Sequence, residues 1–487
     1  MTPAPVALIH LVDRLPDRRV VVIGDVMLDR YVTGTVARIS PEAPIPVLRV
    51  TAESARPGGA GNVARNLAAL GLKTDLVGVM GSDEAATELT DALAAEPQIA
   101  LHLTRDRQRR TTTKTRHIAA GQQLLRADRE EVHPVSGAVE QRLIDTAAKV
   151  IARAGAVVLS DYGKGTLTEL VIQGAIAAAT KAGIPIVVDP FGRDWRRYRG
   201  ATLLKPNRAE VAEATGVAPS SDASALEAAR AARRLAGTKA VLLSRAEAGL
   251  TLVAGRQELH LKAEAREVAD VTGAGDSVVA TVAAALAAGG GFAEAAALAG
   301  FAGGIAVGHV GAYAVTAAEL KAALRADAAR AASTKVAGRD EAARRVAAWR
   351  KNRLRIGFTN GVFDLLHPGH LSLIAEAKRQ CDRLIVAINA DASVRRLKGP
   401  DRPVQDENAR AMVLAALGDV DLVVVFEEDT PIPLLRLLKP DVLVKGGDYT
   451  LDQVVGGDLM RSWGGQVKLA RVVPGHSTSA TVRKLRP

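Results

Sequence analysis

A chain of 487 residues, 48% hydrophobic and 24% charged, has the make-up of an ordinary folded protein with room for two to four cores at ~100–200 residues per domain. That excludes a peptide hormone, a small disulfide scaffold and a disordered chain. Only 3% of residues are aromatic, so Ala, Val, Leu and Gly must do the packing, and base-stacking platforms for single-stranded nucleic acid are not expected. The single cysteine, Cys381, rules out an intrachain disulfide and a multi-cysteine metal site and fits a reducing compartment, with the cytoplasm as the default. Residues 1–15 show no basic start followed by a long apolar run, so no signal peptide is expected.

In chain order, apolar runs at 20–23, 156–159, 186–188, 202–204 and 241–243 each end in polar or Gly/Pro residues, and helical stretches such as 63–70 and 168–182 lie between several of them. This alternation predicts βαβ units around a buried, mostly parallel sheet, an α/β fold. Period-two stretches at 45–50 and 114–118 predict strands exposed on one face, a β flap able to cover a site at the sheet's end. From 277 to 318 the only formal charge is Glu294. The stretch is mostly Ala and Gly, broken by Gly289-Gly290-Gly291 and carrying His309, whereas membrane spans are richer in Leu, Ile and Phe. Buried helix packing is expected, and no membrane association.

The sharpest local signal in this half is Asp270-Val271-Thr272-Gly273-Ala274-Gly275-Asp276-Ser277, followed directly by a helix-forming run at 278–288. Two glycines let backbone amides converge at a helix N-terminus, where the dipole favours an anion such as a transferring phosphoryl group. Asp276 beside that anion can accept a proton from an attacking sugar hydroxyl; taken alone, it also reads as a helix cap. A P-loop is excluded, because the only Gly-Lys pair, Gly163-Lys164, is followed by Gly165. Gly58-Gly59-Ala60-Gly61-Asn62 precedes an Ala/Leu helix and allows close backbone approach to a ligand, or a tight structural turn. In Lys205-Pro206-Asn207-Arg208-Ala209-Glu210, Asn207 and Glu210 share a helix face and either hold a hydrated magnesium ion or cap the helix.

In this order, these three segments resemble those of the ribokinase-like, PfkB-type carbohydrate kinases, over the first 325 or so residues. The resemblance implies Asp276 as catalytic base and Gly273, Ala274 and Gly275 as anion hole. It also implies Asn207 and Glu210 as indirect magnesium and phosphate helpers, and Asp29, Gly58, Gly59 and Asn62 as sugar-binding residues. The family usually has Asp-Thr-Gly at the last motif; here Val271 intervenes.

Between 331 and 355 stand Lys335, Arg339, Arg344, Arg345, Arg350, Lys351, Arg353 and Arg355, against only Asp340 and Glu341. More than half of the formal charge of +11 is thus concentrated in one short segment, which reads as a solvated helical connector rather than a nucleic-acid patch. The expected domains are 1–330, a basic helical linker at 331–354, and 355–487.

After the linker, strands are expected near 355–358, 384–388, 422–426 and 442–444, and helices at 370–379, 408–417 and 431–438. They predict a smaller doubly wound, Rossmann-like domain with ligands beyond the strand carboxyl ends. The segment Thr359-Asn360-Gly361-Val362-Phe363-Asp364-Leu365-Leu366-His367-Pro368-Gly369-His370 follows a strand and opens a helix. Two imidazoles at a helix start can donate to triphosphate oxygens. Zinc would need further ligands, and Cys381 lies a helix away. Arg395, Arg396, Lys398 and Arg402 supply cations, Lys445-Gly446-Gly447-Asp448 follows a buried strand, and Ser477-Thr478-Ser479 precedes the terminal helix, a second phosphate cradle.

Together these segments resemble the nucleotidyltransferases with a His-x-Gly-His motif. The resemblance implies attack of a substrate phosphate on the α-phosphorus of a nucleoside triphosphate. His367, His370 and Lys398 are the implied catalytic residues, and Thr359, Asn360, Gly361, Phe363, Asp364, Arg402, Lys445, Gly446, Asp448, Ser477, Thr478 and Ser479 the nucleotide- and phosphate-binding ones.

The fusion itself, with the segments Gly24-Asp25-Val26-Met27-Leu28-Asp29-Arg30-Tyr31, Leu159-Ser160-Asp161-Tyr162 and Phe426-Glu427-Glu428-Asp429, is similar to the bifunctional heptose 7-phosphate kinases and heptose 1-phosphate adenylyltransferases of Gram-negative bacteria. That implies heptose phosphates and ATP with Mg2+ as substrates and cofactor, a homodimer, a separate heptose bisphosphate phosphatase, and no nucleic-acid partner. Two departures bear on nucleotide affinity: Asn408 stands where an acidic residue is expected two positions before Arg410, and His476 where Tyr or Cys is more usual. The rivals are another sugar kinase fused to a cytidylyltransferase, and a nucleic-acid-binding regulator with degenerate enzyme domains.

Overall fold

The apolar runs of the first half become strands of one nine-stranded sheet, buried because helices cover both of its faces. The structure, a computed structural model, describes residues 3–263, 268–446 and 450–470, in two units, Met1–Leu324 and Arg325–Pro487. In the first unit the strands are β1 (Arg19–Gly24), β2 (Val26–Ile39), β3 (Pro46–Gly59), β4 (Lys73–Met80), β5 (Ile99–Arg105), β6 (Thr113–Ala119), β7 (Gln122–Arg129), β8 (Ala156–Ser160), β9 (Ile186–Asp189), β10 (Leu203–Leu204), β11 (Ala240–Ser244), β12 (Leu250–Ala254) and β13 (Gln257–Leu261).

The large sheet runs β13-β12-β11-β10-β9-β8-β1-β4-β5, parallel from β11 to β5 and closed at the other edge by the antiparallel β12 and β13. From β1 the chain winds first to β4 and β5 on one side and later to β8 on the other. The crevice of this doubly wound sheet therefore opens past the carboxyl ends of β1 and β8, where Gly24 pairs with Ser160.

Over one face lie the Ala-rich helices Ala274–Ala287 and Phe292–Ala306, with Val279, Ala283, Leu298 and Ala299 fully buried, so the uncharged stretch is core. Small residues set the approach: a Cβ on Gly303 would lie 3.1 Å from Val278. Among the described residues no helix is long and apolar enough to cross a membrane.

The two flap stretches belong to a four-stranded sheet, β3-β2-β6-β7. β2 and β3 run 14 residues each; their inner ends, at Val26, Met27, Leu28 and Pro57, Gly58, Gly59, are buried at the crevice, and their outer ends are exposed.

In the second unit β14 (Ile356–Gly361), β15 (Arg383–Asn389), β16 (Leu422–Phe426), β17 (Val442–Gly446) and β18 (Gln466–Ala470) form an all-parallel sheet in the order β16-β15-β14-β17-β18. The chain winds outward from β14 to β15 and β16 on one side and then to β17 and β18 on the other, which fixes the crevice at the carboxyl ends of β14 and β17. The expected connector at 331–354 includes a helix that packs into the second unit. The division falls at 324/325, and the helix Arg339–Lys351 buries Ala342 and Val346 against Leu422, Leu434 and Leu435. The helix thus carries a core stripe among its basic residues, which a charge count does not reveal.

Candidate active sites

In the first unit Asp276 is the third residue of the helix Ala274–Ala287, and the cap is Gly273. Gly273 has φ 75°, and a Cβ there would lie 2.9 Å from Asn62 Nδ2 and 3.1 Å from the Ala312 Cα, so only glycine fits the turn. Asp270 anchors that turn, accepting from Thr272 N and Oγ1 and from Gly311 N at 2.9, 2.7 and 2.9 Å. Val271, the departure from the family pattern, is 70% exposed, and its carbonyl accepts from Ala274 N at 3.3 Å.

Asp276 is buried and doubly held: Asn62 Nδ2 donates to Oδ2 at 2.7 Å and the Tyr162 hydroxyl donates to Oδ1 at 2.6 Å. Burial pushes its carboxyl up to about 6, against the two hydrogen bonds and with help from the charge of Asp189. A carboxylate so poised is ionised at neutral pH and basic enough to take a hydroxyl proton. Tyr162 lies two residues past the end of β8, and its own N–H donates to Asp25 Oδ2, which also accepts from Lys164 N. Asp25, just past β1, thereby ties the two strand ends that frame the crevice.

Sequence reasoning assigned no role to Tyr162, Asp189 or Lys205. Lys205 Nζ pairs with Asp189 Oδ1 at 3.0 Å and lies 3.3 Å from where a Cβ on Gly275 would sit, a buried cation against the Gly-rich turn. Burial acts to neutralise it, but the charges of Asp189 and Glu210 outweigh that and keep it protonated. The signal available was Lys205 at a strand's end next to Asn207.

Asn207 caps the helix Arg208–Thr215: its Oδ1 accepts from Ala209 N and Glu210 N, while Glu210 Oε2 accepts from Asn207 N. Of the two roles left open for this pair, capping is therefore realised. Burial, then Asp189, raises Glu210 to about 7. Asp29 sits on β2 with Arg116 Nη1 on its Oδ1 at 2.6 Å, and a Cβ on Gly58 would lie 2.3 Å from its Oδ2. Gly59, at φ 56°, would bring a Cβ within 2.5 Å of Asp25 O. Asn62, expected among the sugar ligands, has its Nδ2 on Asp276, and its Oδ1 is buried with no hydrogen-bond partner among the described residues.

In the second unit His367 caps the helix Pro368–Lys378 and His370 lies in its first turn. Their rings stack with centroids 3.8 Å apart, and Phe363 packs on His370 at 5.0 Å. Burial, then the neighbouring imidazole, lowers His370 to about 4, so it is neutral in the free protein. At the carboxyl end of β14, Thr359 Oγ1 and Asn360 Oδ1 are buried with no hydrogen-bond partner among the described residues, which a ligand would supply. Lys445 Nζ donates to Asn360 O at 2.8 Å, tying β17 to β14 across the crevice; burial lowers it to about 8. Gly361 ends β14 and Gly446 ends β17.

Several of the expected ligands are also engaged by the chain itself. Asp364 is fully engaged by the chain: it accepts from Arg402 Nε at 2.7 Å and from Val404 N and Gln405 N at 2.8 and 3.0 Å. It therefore shapes the 402–405 loop, and Arg402 is held by it. Phe363, buried with φ 48°, supports His370. Lys398 ends the helix Asp391–Lys398, where a basic loop was also a possible reading; it is exposed and makes no hydrogen bond or ion pair among the described residues. Arg396 turns to Asp429 and Glu427 O. Arg410 is fully buried on Asp391, Val362 O and Gln405 O, while Asn408 is exposed. Asp448, Ser477, Thr478, Ser479 and His476 lie outside the described residues.

The doubly wound sheet with Asp276 at a Gly-rich helix start, and the smaller parallel sheet with His367 and His370 at a helix start, are those of a sugar kinase joined to a nucleotidyltransferase. Residues 17–318 match the pfkB family carbohydrate kinase model and 358–476 the cytidylyltransferase-like model. The chain is 51% identical to the bifunctional protein HldE of Caulobacter vibrioides over 98% of this chain and 99% of that protein. It is 52% identical to that of Rhodospirillum rubrum over 100% and 98%. Arabidopsis thaliana ribokinase, at 21% identity, shares the fold with a TM-score of 0.53 over 64% of this chain and 99% of its own; phosphofructokinase-2 of Escherichia coli does so at 0.55, with the same identity and coverage. The chain belongs to the PfkB carbohydrate kinases in its first unit and, over its whole length, to the bifunctional HldE proteins.

Proposed function

We propose that the chain carries out two steps of ADP-heptose synthesis. The observation that carries the reading is Asp276, doubly held at the Gly-rich helix start of a sheet crevice, in one chain with the stacked His367 and His370 at a second crevice. In the first step the anomeric oxygen of D-glycero-β-D-manno-heptose 7-phosphate attacks the γ-phosphorus of ATP. The new O–P bond forms as the bond to the ADP oxygen breaks, and the hydroxyl proton passes to Asp276. Amides of Gly273, Ala274 and Gly275, with Lys205 beside them, stabilise charge on the transferring group. Asp29, with Gly58 and Gly59 behind it, orients the sugar.

Magnesium, which neutralises triphosphate charge when bound, fits near Glu210, a carboxylate whose ionisation burial and Asp189 oppose and a cation would favour. Because Asn207 Oδ1 and Glu210 Oε2 are used in the helix cap, the pair would hold the ion through its water.

A separate phosphatase then removes the 7-phosphate. In the second unit a phosphate oxygen of heptose 1-phosphate attacks the α-phosphorus of ATP and pyrophosphate leaves, with no covalent enzyme intermediate. His367 and His370 donate to the phosphates at the helix start, with Thr359, Asn360 and Lys445 beside them and Lys398 and the 477–479 turn as further contacts. The lone Cys381 supports a cytoplasmic setting, and the exposed Ile39, Ile45 and Leu125 on and beside the flap support a homodimer.

The test is mass spectrometry of full-length protein with Mg-ATP and the heptose 7-phosphate, with and without a heptose bisphosphate phosphatase. The bisphosphate without it and ADP-heptose with it are expected. No phosphorylation would sink the heptose assignment; bisphosphate without nucleotide sugar would sink the second substrate.

A further inference from the structure

Phe363 stands in the left-handed region, at φ 48°, just past the end of β14. A side chain of that size is strained there, and the conformation persists only where its surroundings hold it. Its neighbours on both sides are gripped. Before it, Val362 O accepts from Arg410 Nη1 at 2.8 Å; after it, Asp364 Oδ1 accepts from Gln405 N at 3.0 Å, and Gln405 O in turn accepts from Arg410 Nε at 3.0 Å. The bonds from Val362 through Arg410 and Gln405 to Asp364 therefore close on Phe363 from either side.

Arg410 belongs to the helix Glu407–Ala415, and its third nitrogen, Nη2, donates to Asp391 Oδ1 at 2.6 Å. Asp391 is itself set in place, its N–H donating to Glu407 Oε2 at 2.7 Å. The planar guanidinium suits this task, because its three nitrogens reach three acceptors at fixed angles, which a lysine ammonium cannot copy. What the clamp presents is the Phe363 side chain. Its ring centroid lies 5.0 Å from that of His370, and a Cβ on Gly361 would come 3.1 Å from its Cε2. Burial, then His367, keeps His370 neutral, and the Phe363 ring is part of that covering.

We propose that Arg410 is a positioning residue for adenylyl transfer, fixing the turn at Val362, Phe363 and Asp364 so that Phe363 holds the His370 imidazole in place at the helix start. Its side chain is fully buried, so it acts through Phe363 rather than on substrate. The carboxylate that Arg410 needs comes from Asp391, 19 residues earlier, and not from position 408. The inference deepens the proposed second reaction and rests on His370 as a phosphate contact there.

The experiment compares full-length wild type, Arg410→Lys and Asp391→Asn, each also in a Phe363→Ala background, after melting curves show the second unit folded at the assay temperature. Adenylyl transfer from ATP to heptose 1-phosphate, measured as pyrophosphate, should lose about tenfold to a hundredfold in kcat in Arg410→Lys, with KM for ATP within about threefold and the kinase reaction unchanged. In Phe363→Ala the same substitution should cost little more, because the two residues act as a unit. The His370 imidazole, followed by NMR and identified by its loss in His370→Ala, should titrate about one pH unit or more higher in Arg410→Lys, a change that lost stability alone does not produce. If Arg410→Lys fails to fold, Asp391→Asn, which leaves the guanidinium a neutral acceptor, carries the same comparison with a smaller effect. An unmoved His370 titration, an unchanged kcat, or a loss that persists undiminished in Phe363→Ala would each overturn the proposal. A shifted His370 titration in a chain that makes no ADP-heptose would overturn the heptose reading and leave the positioning role standing.

Discussion

The Tyr162 hydroxyl lies 2.6 Å from Asp276 Oδ1, and this bond joins the end of β8 to the helix that bears the candidate base. It stabilises the carboxylate form, opposing the burial that raises Asp276 to about 6. Tyr162→Phe removes the donor, so the acid limb of the kinase pH profile should move to higher pH. At pH 8, where the base stays ionised, the loss in kcat should be about fivefold, one hydrogen bond of ~1 kcal/mol. Kinase kcat/KM measured from pH 5 to 9 checks it; an unmoved acid limb would mean that Tyr162 does not govern the base.

Asp276→Asn should lower kinase turnover by about 10²- to 10⁴-fold and leave adenylyl transfer unchanged. It should not lower stability. With a folded pKa raised to about 6 above an unfolded value of 3.8, the folded state binds more protons between those values, so stability falls as pH rises through that window and the full penalty persists at neutral pH. Neutral Asn removes that penalty and can still accept from Asn62. Calorimetry at pH 7.5 should therefore show a kinase-unit melting point equal to or above wild type, and a clear drop would contradict the buried-carboxylate account.

Local patterns carried much of the architecture. Each Gly-rich turn was legible because φ 75° at Gly273 and the close approach at Gly58 leave no choice of residue, and the βα alternation was legible because strands covered on both faces read as unbroken apolar runs. What stayed hidden depends on partners distant in sequence. Tyr162 meets Asp276 from 114 residues away, and Asp364 meets Arg402, Val404 and Gln405 from 38 to 41. Nothing near Asp364 distinguishes a loop anchor from a ligand. The inner ends of β2 and β3 lost their period-two signal because they are buried at the crevice, so only parts of the flap were visible. The helix Arg339–Lys351 hid its core side behind a majority of charged residues.

His370 should be neutral in the free protein and gain a proton when a polyphosphate binds. Its folded pKa of about 4 lies below the usual 6.5, so the unfolded chain binds more protons between those values, and the second unit should lose stability as pH falls from 6.5 toward 4. A triphosphate beside the imidazole favours the charged form. Titrating ATP calorimetrically at pH 6 in buffers of different ionisation enthalpy should show net proton uptake, diminished in His370→Ala. That variant should also lose adenylyl transfer by about a hundredfold or more while the kinase reaction continues. Binding without proton uptake would place the phosphates away from His370.

Asp364→Ala should harm the second unit through its fold rather than through nucleotide contact. The substitution leaves the Arg402 guanidinium, 14% exposed, without its carboxylate and leaves two loop N–H groups, Val404 and Gln405, without their acceptor. Removing one member of such a pair costs about 3 kcal/mol or more, so denaturant unfolding of the second unit should shift by that amount, with the kinase transition unmoved. Arg402→Gln should cost less, because Asp364 keeps both backbone donors. Were Asp364 chiefly a nucleotide ligand, its replacement would instead raise KM for ATP at unchanged stability, and comparing the unfolding midpoint with KM in the two variants separates a loop anchor from a binding residue.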